Sequence, residues 1–159
     1  MKTYLDEYQT RKSYFSDYLY YQRYFSNSRG KILEIGCSVG HLMSYLSDRK
    51  IGIDIDIEAL QITKRKGMNV VCQNIDNGLC FKNNNFIAID CQNVIEHLKD
   101  PVLFMRECYR VLKKDGSLIV TTIDIKKLKF FNKRKYIEPV VTVMPIILNR
   151  AGAIFRKCM

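Results

Sequence analysis

From residue 31 to residue 123 short apolar runs with a β-branched bias alternate with amphipathic stretches. Ile32-Leu33-Glu34-Ile35, ending at Gly36, predicts a first strand, and Ile51-Gly52-Ile53, stopped by Asp54, a second. Asn69 to Cys72 predicts a third. The Asn-rich loop Asn83 to Asn85 leads into a fourth, Phe86 to Ile89, and a Lys114-Asp115-Gly116 turn into a fifth, Ser117 to Ile123. Between them, His41 to Leu46 sets Leu42, Met43, Tyr45 and Leu46 on one side of a helix. Asp56 is placed to cap a second helix running to about Lys66, with Gly67 as its stop signal. Asp100 followed by Pro101 is a cap and first-turn pair for a third, through Leu112. Strands separated by helices of this length imply a parallel sheet with helices on both faces, a Rossmann-like α/β fold.

The flanks differ in character. Residues 1–28 hold seven of the ten tyrosines, with Tyr4 and Tyr8, then Tyr14, Tyr18 and Tyr21, at helical spacing. An N-terminal helical segment, 1–28, therefore precedes an α/β domain, 29–123, and a C-terminal segment, 124–159. In that last segment Val140 to Leu148 is apolar and reads as a sixth strand or a helix, with no clear pairing partner. The fifth strand is then an open edge unless this segment folds back or a second chain covers it, so self-association along that edge is expected.

At 159 residues the chain is long enough for one core. Its net charge of +10 is concentrated in the tail: residues 123–159 carry 9 Lys and Arg against 2 Asp and Glu. The basic stretch Lys126 to Lys135, with Phe130 and Phe131 inside it, reads first as a solvated face or loop and second as a contact with anionic lipid or nucleic acid. The longest apolar run contains Pro145 and falls far short of the ~20 residues of a membrane span. Without a signal pattern the expected location is cytoplasmic. Six cysteines, none in a CxxC pair, and two distant histidines argue against zinc. Reduced thiols acting as small buried hydrophobes are expected for at least five of the six.

In open parallel sheets ligands sit beyond the carboxyl ends of the strands, where strand order reverses. There the sequence runs Glu34-Ile35-Gly36-Cys37-Ser38-Val39-Gly40, a turn into a helix start whose backbone N–H groups can face an anion. A glycine-rich turn alone fits a merely tight connection equally well. Asp54, at the end of the second strand, adds a carboxylate able to accept from both hydroxyls of a ribose.

These residues resemble the class I S-adenosylmethionine-dependent methyltransferases, in particular the small-molecule branch called methyltransferase type 11. Leu33 to Gly40 resembles the first motif of that family and Gly52-Ile53-Asp54 its second. Leu79, Phe81 and Asn84 to Phe86 echo its "LPF…NSFD" stretch, Val94 to Leu98 its "VLEHL" segment, and Arg110 to Gly116 its "RVLKPGG" turn. The resemblance implies an S-adenosyl-L-methionine cofactor and a small-molecule methyl acceptor such as a sugar, lipid precursor or metabolite. It also implies residue roles. Glu34, Gly36, Cys37, Ser38 and Gly40 would hold the methionine part, Asp54 the ribose and Ile55 the adenine. Asn74 and Ile75 would meet the adenine edge, and Cys91 and Gln92 would lie near the sulfonium. Three positions depart from the family pattern: Ser38 replaces a second glycine, Asn74 an aspartate, and Ile87 the aspartate of "FD". A full class I domain has seven strands, the last two an antiparallel pair. The short tail leaves open a truncated or degenerate domain serving as a binding or partner subunit without catalysis.

Methyl transfer from a sulfonium is an in-line displacement, so alignment and desolvation carry much of the catalysis. A base is needed only where the acceptor loses a proton. His97 is the candidate, and a capping or packing role is its simpler reading; Glu96 reads as an orienting or capping residue. Cys91-Gln92 stands where cytosine carbon-5 methyltransferases carry Pro-Cys-Gln, but position 90 is Asp. The Asp/Asn-Pro-Pro-aromatic pattern of amino-methyltransferases is absent, so nucleic acid is not the expected partner. A NAD-dependent oxidoreductase would want G-x-G-x-x-G, which this turn lacks.

Overall fold

The computed structural model describes residues 19, 24–25, 29–46, 48–123, 141–144, 146–149 and 152–155. Most of the N-terminal helical segment and the Lys126 to Lys135 stretch lie outside the described residues.

Five parallel strands form the sheet: β1 (Ile32–Ile35), β2 (Lys50–Asp54), β3 (Val70–Cys72), β4 (Phe86–Gln92) and β5 (Leu112–Ile123). Their order is β3-β2-β1-β4-β5, with β6 (Val141–Met144) beyond β5. The chain steps outward from β1 to β3, then crosses back to place β4 against the other side of β1. The reversal of strand order therefore falls between β1 and β4.

Alternation along the strands builds two apolar faces. Leu33, Ile35, Ile53, Ile89, Cys91, Leu118 and Val120 pack on one face with Phe104, Cys108 and Val111 of helix α2 (Pro101–Val111). On the opposite face Ile32, Ala88 and Ile119 pack with Phe25, Leu42 and Tyr45, so the N-terminal segment contributes at least Phe25 to the core. Beside them Cys37 and Met43 pack with Leu60 of helix α1 (Ile57–Arg65).

Both helix starts follow their local chemistry. Asp56 accepts from the Glu58 and Ala59 N–H groups, and Asp100 from those of Val102 and Leu103 with Pro101 in the first turn. The stretch expected as the first helix is instead a 3₁₀ turn, Leu42–Leu46, too short for an α-helix to propagate.

Two expectations need correction. Lys114-Asp115-Gly116 is not a turn ahead of β5 but a bulge inside it: Phe86 faces Leu112, yet Ala88 faces Ser117. Asp115, at φ +66, turns the excess residues outward. Strands also follow β5. β6 pairs antiparallel with β5 from Val120↔Met144 to Ile123↔Val141, and β7 (Ile146–Asn149) and β8 (Gly152–Phe155) form a second, two-stranded sheet. The described residues within Val140 to Leu148, 141–144 and 146–148, are thus strand rather than helix. Along residues 120–123, β5 is covered by its own chain, by one of the two routes the sequence leaves open.

Candidate cofactor-binding site

The turn after β1 has one bond of its own, from Gly40 N–H to the Cys37 carbonyl at 2.9 Å, and is otherwise fixed by its neighbours. The Gly36 and Cys37 N–H groups both donate to the Ile53 carbonyl, at 2.8 and 3.1 Å. Thr63 Oγ1 donates to the Ser38 carbonyl and Lys66 Nζ to that of Val39, each at 2.8 Å, so α1 holds the turn from below. Asp54 closes the ring: its Oδ2 accepts from Ser38 N at 2.8 Å and its Oδ1 from Asp56 N at 2.9 Å. Each carboxylate oxygen keeps a further lone pair for a ligand hydroxyl.

Gly36 and Ser38 sit at φ +76 and +45, in the left-handed region that L side chains avoid. At Gly36 a Cβ would also lie 2.3 Å from Val94 Cγ2, so the glycine admits the segment after β4 as well as the turn. Ser38 adopts the same backbone region with a side chain, which explains physically why a glycine suits that position.

At the reversal of strand order the surface opens into a small pocket. Glu34 to Cys37 line it from β1 and the turn, His41 and Leu42 from the segment that follows, and Asp90 and Gln92 from β4. Its floor is charged. Glu34 lies directly across from Asp90 in the β1–β4 register, and both are buried. Lys50 Nζ donates to Glu34 Oε2, and at 3.0 Å to the Leu42 carbonyl, with its side chain wholly out of water. Gln92 Nε2 lies 3.4 and 3.5 Å from the two Asp90 oxygens.

The structure brings together Glu34, Gly36, Cys37 and Gln92 at the pocket, with Ser38 and Gly40 completing the turn and Asp54 beside it. Ile55 is 66% exposed just past the end of β2. Asn74, exposed, spends its Oδ1 on capping the 3₁₀ turn Ile75–Asn77, and Ile75 packs against the core. Cys91 does not line the pocket. Being one residue out of phase with Asp90 and Gln92, it points into the α2 face, where burial pushes its thiol well up. Burial, then the Glu34 and Asp54 carboxylates, push the Cys37 thiol up too. His97 is exposed on the 3₁₀ turn Ile95–His97, beyond the pocket lining.

Sequence reasoning missed Lys50, Asp90 and His41. Asp90 carries a signal in hindsight: a charged residue inside an apolar run, two positions before the strand end. Among the described residues no cluster of His, Cys, Asp and Glu could hold a metal ion.

A doubly wound parallel sheet with a tied glycine-rich turn, a carboxylate closing β2 and a pocket at the β1/β4 switch point defines a nucleotide-cofactor domain of the Rossmann-like class. The chain belongs to the methyltransferase domain family, whose pattern matches residues 33–120, and within it to the class I, type 11 branch of S-adenosylmethionine-dependent methyltransferases. It is similar to the mitochondrial ubiquinone biosynthesis O-methyltransferase of Rattus norvegicus, with 30% identity over 72% of this chain and 37% of that one. Among solved structures it resembles a SAM-dependent methyltransferase from Thermotoga maritima (27% identity, TM-score 0.66, 76% of this chain and 59% of that one). It shares its fold with the plantazolicin methyltransferase BpumL in complex with SAH (20% identity, TM-score 0.64, 78% and 53%). The chain spans less than half the length of the curated relatives it matches.

The pocket residues fit the family's cofactor. A tied turn stands over one end, an acidic floor can face an ammonium, and Asp54 and Ile55 can face a ribose and a base.

Proposed function

We propose that this chain is the cofactor-binding part of an enzyme that methylates a small molecule. The observation that carries this reading is the pocket at the β1/β4 switch point, bracketed by the Gly36 to Gly40 turn and by Asp54. Bound there, S-adenosylmethionine supplies a methyl group on a sulfonium, activated for in-line displacement. The residues of this chain bind and orient. Asp54 accepts from ribose hydroxyls while its other lone pairs keep the turn in place. Ile55 gives the adenine an apolar face. The turn and Gln92 border the methionine end. An oriented site of this kind lowers the barrier chiefly by alignment.

The O-methyltransferase names of the relatives support a hydroxyl on a small aromatic or quinone-like acceptor. Such a hydroxyl loses a proton, and we assign the base to His97, on the exposed turn that follows β4. The test is incubation with methyl-labelled cofactor and a panel of catechols, hydroxybenzoates, sugars and lipid precursors. Label transfer to a hydroxyl acceptor is expected. His97→Gln should then lower kcat about 10²-fold or more and leave cofactor affinity unchanged. Transfer to none of the panel by a chain that binds the cofactor would overturn the catalytic reading; an unchanged kcat would remove His97.

A further inference from the structure

The turn after β1 holds one residue whose backbone is at odds with its side chain. Ser38 sits at φ +45, where an L residue is strained and glycine is not. The φ and ψ of a residue set the relation between the two planar peptide units it joins. Both units at Ser38 are held from outside the turn. The Ser38 N–H donates to Asp54 Oδ2, and the Ser38 carbonyl accepts from Thr63 Oγ1, each at 2.8 Å. The next carbonyl, of Val39, accepts from Lys66 Nζ at 2.8 Å. The end of β2 thus grips one side of Ser38 and the end of α1 the other.

Thr63 is the least expected member of this set. A threonine inside a helix commonly turns its hydroxyl back to the carbonyl one turn earlier. Here that contact, to Ala59, measures 3.1 Å, while the bond across to Ser38 measures 2.8 Å. A hydroxyl has a single hydrogen, and the shorter bond takes the larger share of it. The side chain is wholly buried, and its methyl leaves no room at Gly40, where a Cβ would lie 2.6 Å from Thr63 Cγ2. Methyl and hydroxyl therefore act on two positions of the same turn.

We infer that Thr63 is a positioning residue for the cofactor: its hydroxyl holds Ser38 in the left-handed conformation from which the turn borders the ligand. The inference rests on the cofactor reading above and adds a residue that acts from beneath the turn. A turn already in its bound shape needs no ordering when the ligand arrives. Without the hydroxyl, Ser38 relaxes toward negative φ and the turn has to be re-formed on binding. Glycine at 38 has no such preference, so the need for Thr63 disappears with the serine.

The experiment is titration calorimetry of the full chain with S-adenosylhomocysteine, with thermal unfolding of each variant in parallel. Thr63→Val should bind about three- to tenfold more weakly than wild type, the effect of one lost hydrogen bond. Thr63→Ser keeps the hydroxyl and should stay within about twofold of wild type. Ser38→Gly added to Thr63→Val should bring affinity to within about twofold of Ser38→Gly alone. A purely structural role would lower Tm in Thr63→Val and leave affinity unchanged, and that result overturns the inference. So does a Thr63→Ser chain as weak as Thr63→Val, or a glycine that restores nothing. If Thr63→Val does not fold, Thr63→Ala takes its place in the same comparisons. A wild type that binds no S-adenosylhomocysteine removes the cofactor reading itself, and this inference with it; a wild type that binds while the variants fail these comparisons removes the inference alone.

Discussion

Lys50 and Glu34 form an ion pair across the β1–β2 seam with both side chains out of water. Removing one partner of such a pair strands the other charge, at about 3–5 kcal/mol, whereas removing both is far cheaper. Lys50→Met should therefore lower stability by that amount in urea denaturation. Lys50→Met/Glu34→Gln should recover most of the loss. A double variant as unstable as the sum of the single ones would show that the pair acts through packing alone.

Ser38 sits at φ +45 between two glycines of similar sign. Its left-handed backbone costs about 1–2 kcal/mol for an L residue. Glycine relieves that cost but adds roughly 0.4–1 kcal/mol of unfolded-state entropy. Ser38→Gly should thus stabilise by about 0.5–1 kcal/mol and raise Tm by a few degrees. The Thr63 bond to the Ser38 carbonyl is a backbone contact and survives the change. A lowered Tm would mean that the serine hydroxyl contributes more than its backbone costs.

Glu107 and Arg110 clamp the connection between β3 and β4. Arg110 donates to both Glu107 oxygens and to the Leu79 and Phe81 carbonyls, each at 2.7 Å. Those side-chain hydrogen bonds, helped by the Leu79 N–H, hold the Glu107 carboxyl at about 2 against an ordinary 4.5. A carboxyl depressed on folding stabilises above its unfolded value and loses that contribution as pH falls. Wild type should therefore exceed Glu107→Gln in stability above pH 4.5, and the gap should close between 4.5 and about 2. A gap independent of pH across that window would contradict the assignment.

The described thiols divide by exposure, two of them against the expected burial. Cys72 and Cys80 are exposed, while burial holds the Cys37, Cys91 and Cys108 thiols well above the ordinary range. Iodoacetamide at neutral pH, followed by peptide mass spectrometry, should label Cys72 and Cys80 and spare Cys37, Cys91 and Cys108. Rapid labelling of Cys91 would revive a covalent role for it.

What could be read from the chain was what is decided locally. Asp56 and Asp100 cap helices through bonds two and three residues away, and the strand ends at Gly36 and Asp54 follow from turn chemistry. Features set by pairing between distant strands were not legible. Cys91 and Gln92 look alike as neighbours at a strand end, yet the pleat sends one into the core and the other to the pocket. Asp90 gains its meaning only from standing across from Glu34, and Lys50 only from reaching it. The bulge at 113–116 is equally non-local, since the sequence alone reads as a turn followed by a shorter strand.

Cofactor binding at the strand ends turns on Asp54 and the turn it closes. Titration of wild type and Asp54→Ala with S-adenosylhomocysteine and with NADH tests it most directly. The wild type should bind S-adenosylhomocysteine and not NADH. The variant should bind S-adenosylhomocysteine about 10- to 150-fold more weakly, the loss of a charged hydrogen-bonding partner worth ~1.5–3 kcal/mol. Equal affinity in wild type and variant would take Asp54 out of the site, and binding of NADH alone would contradict the S-adenosylmethionine pocket altogether.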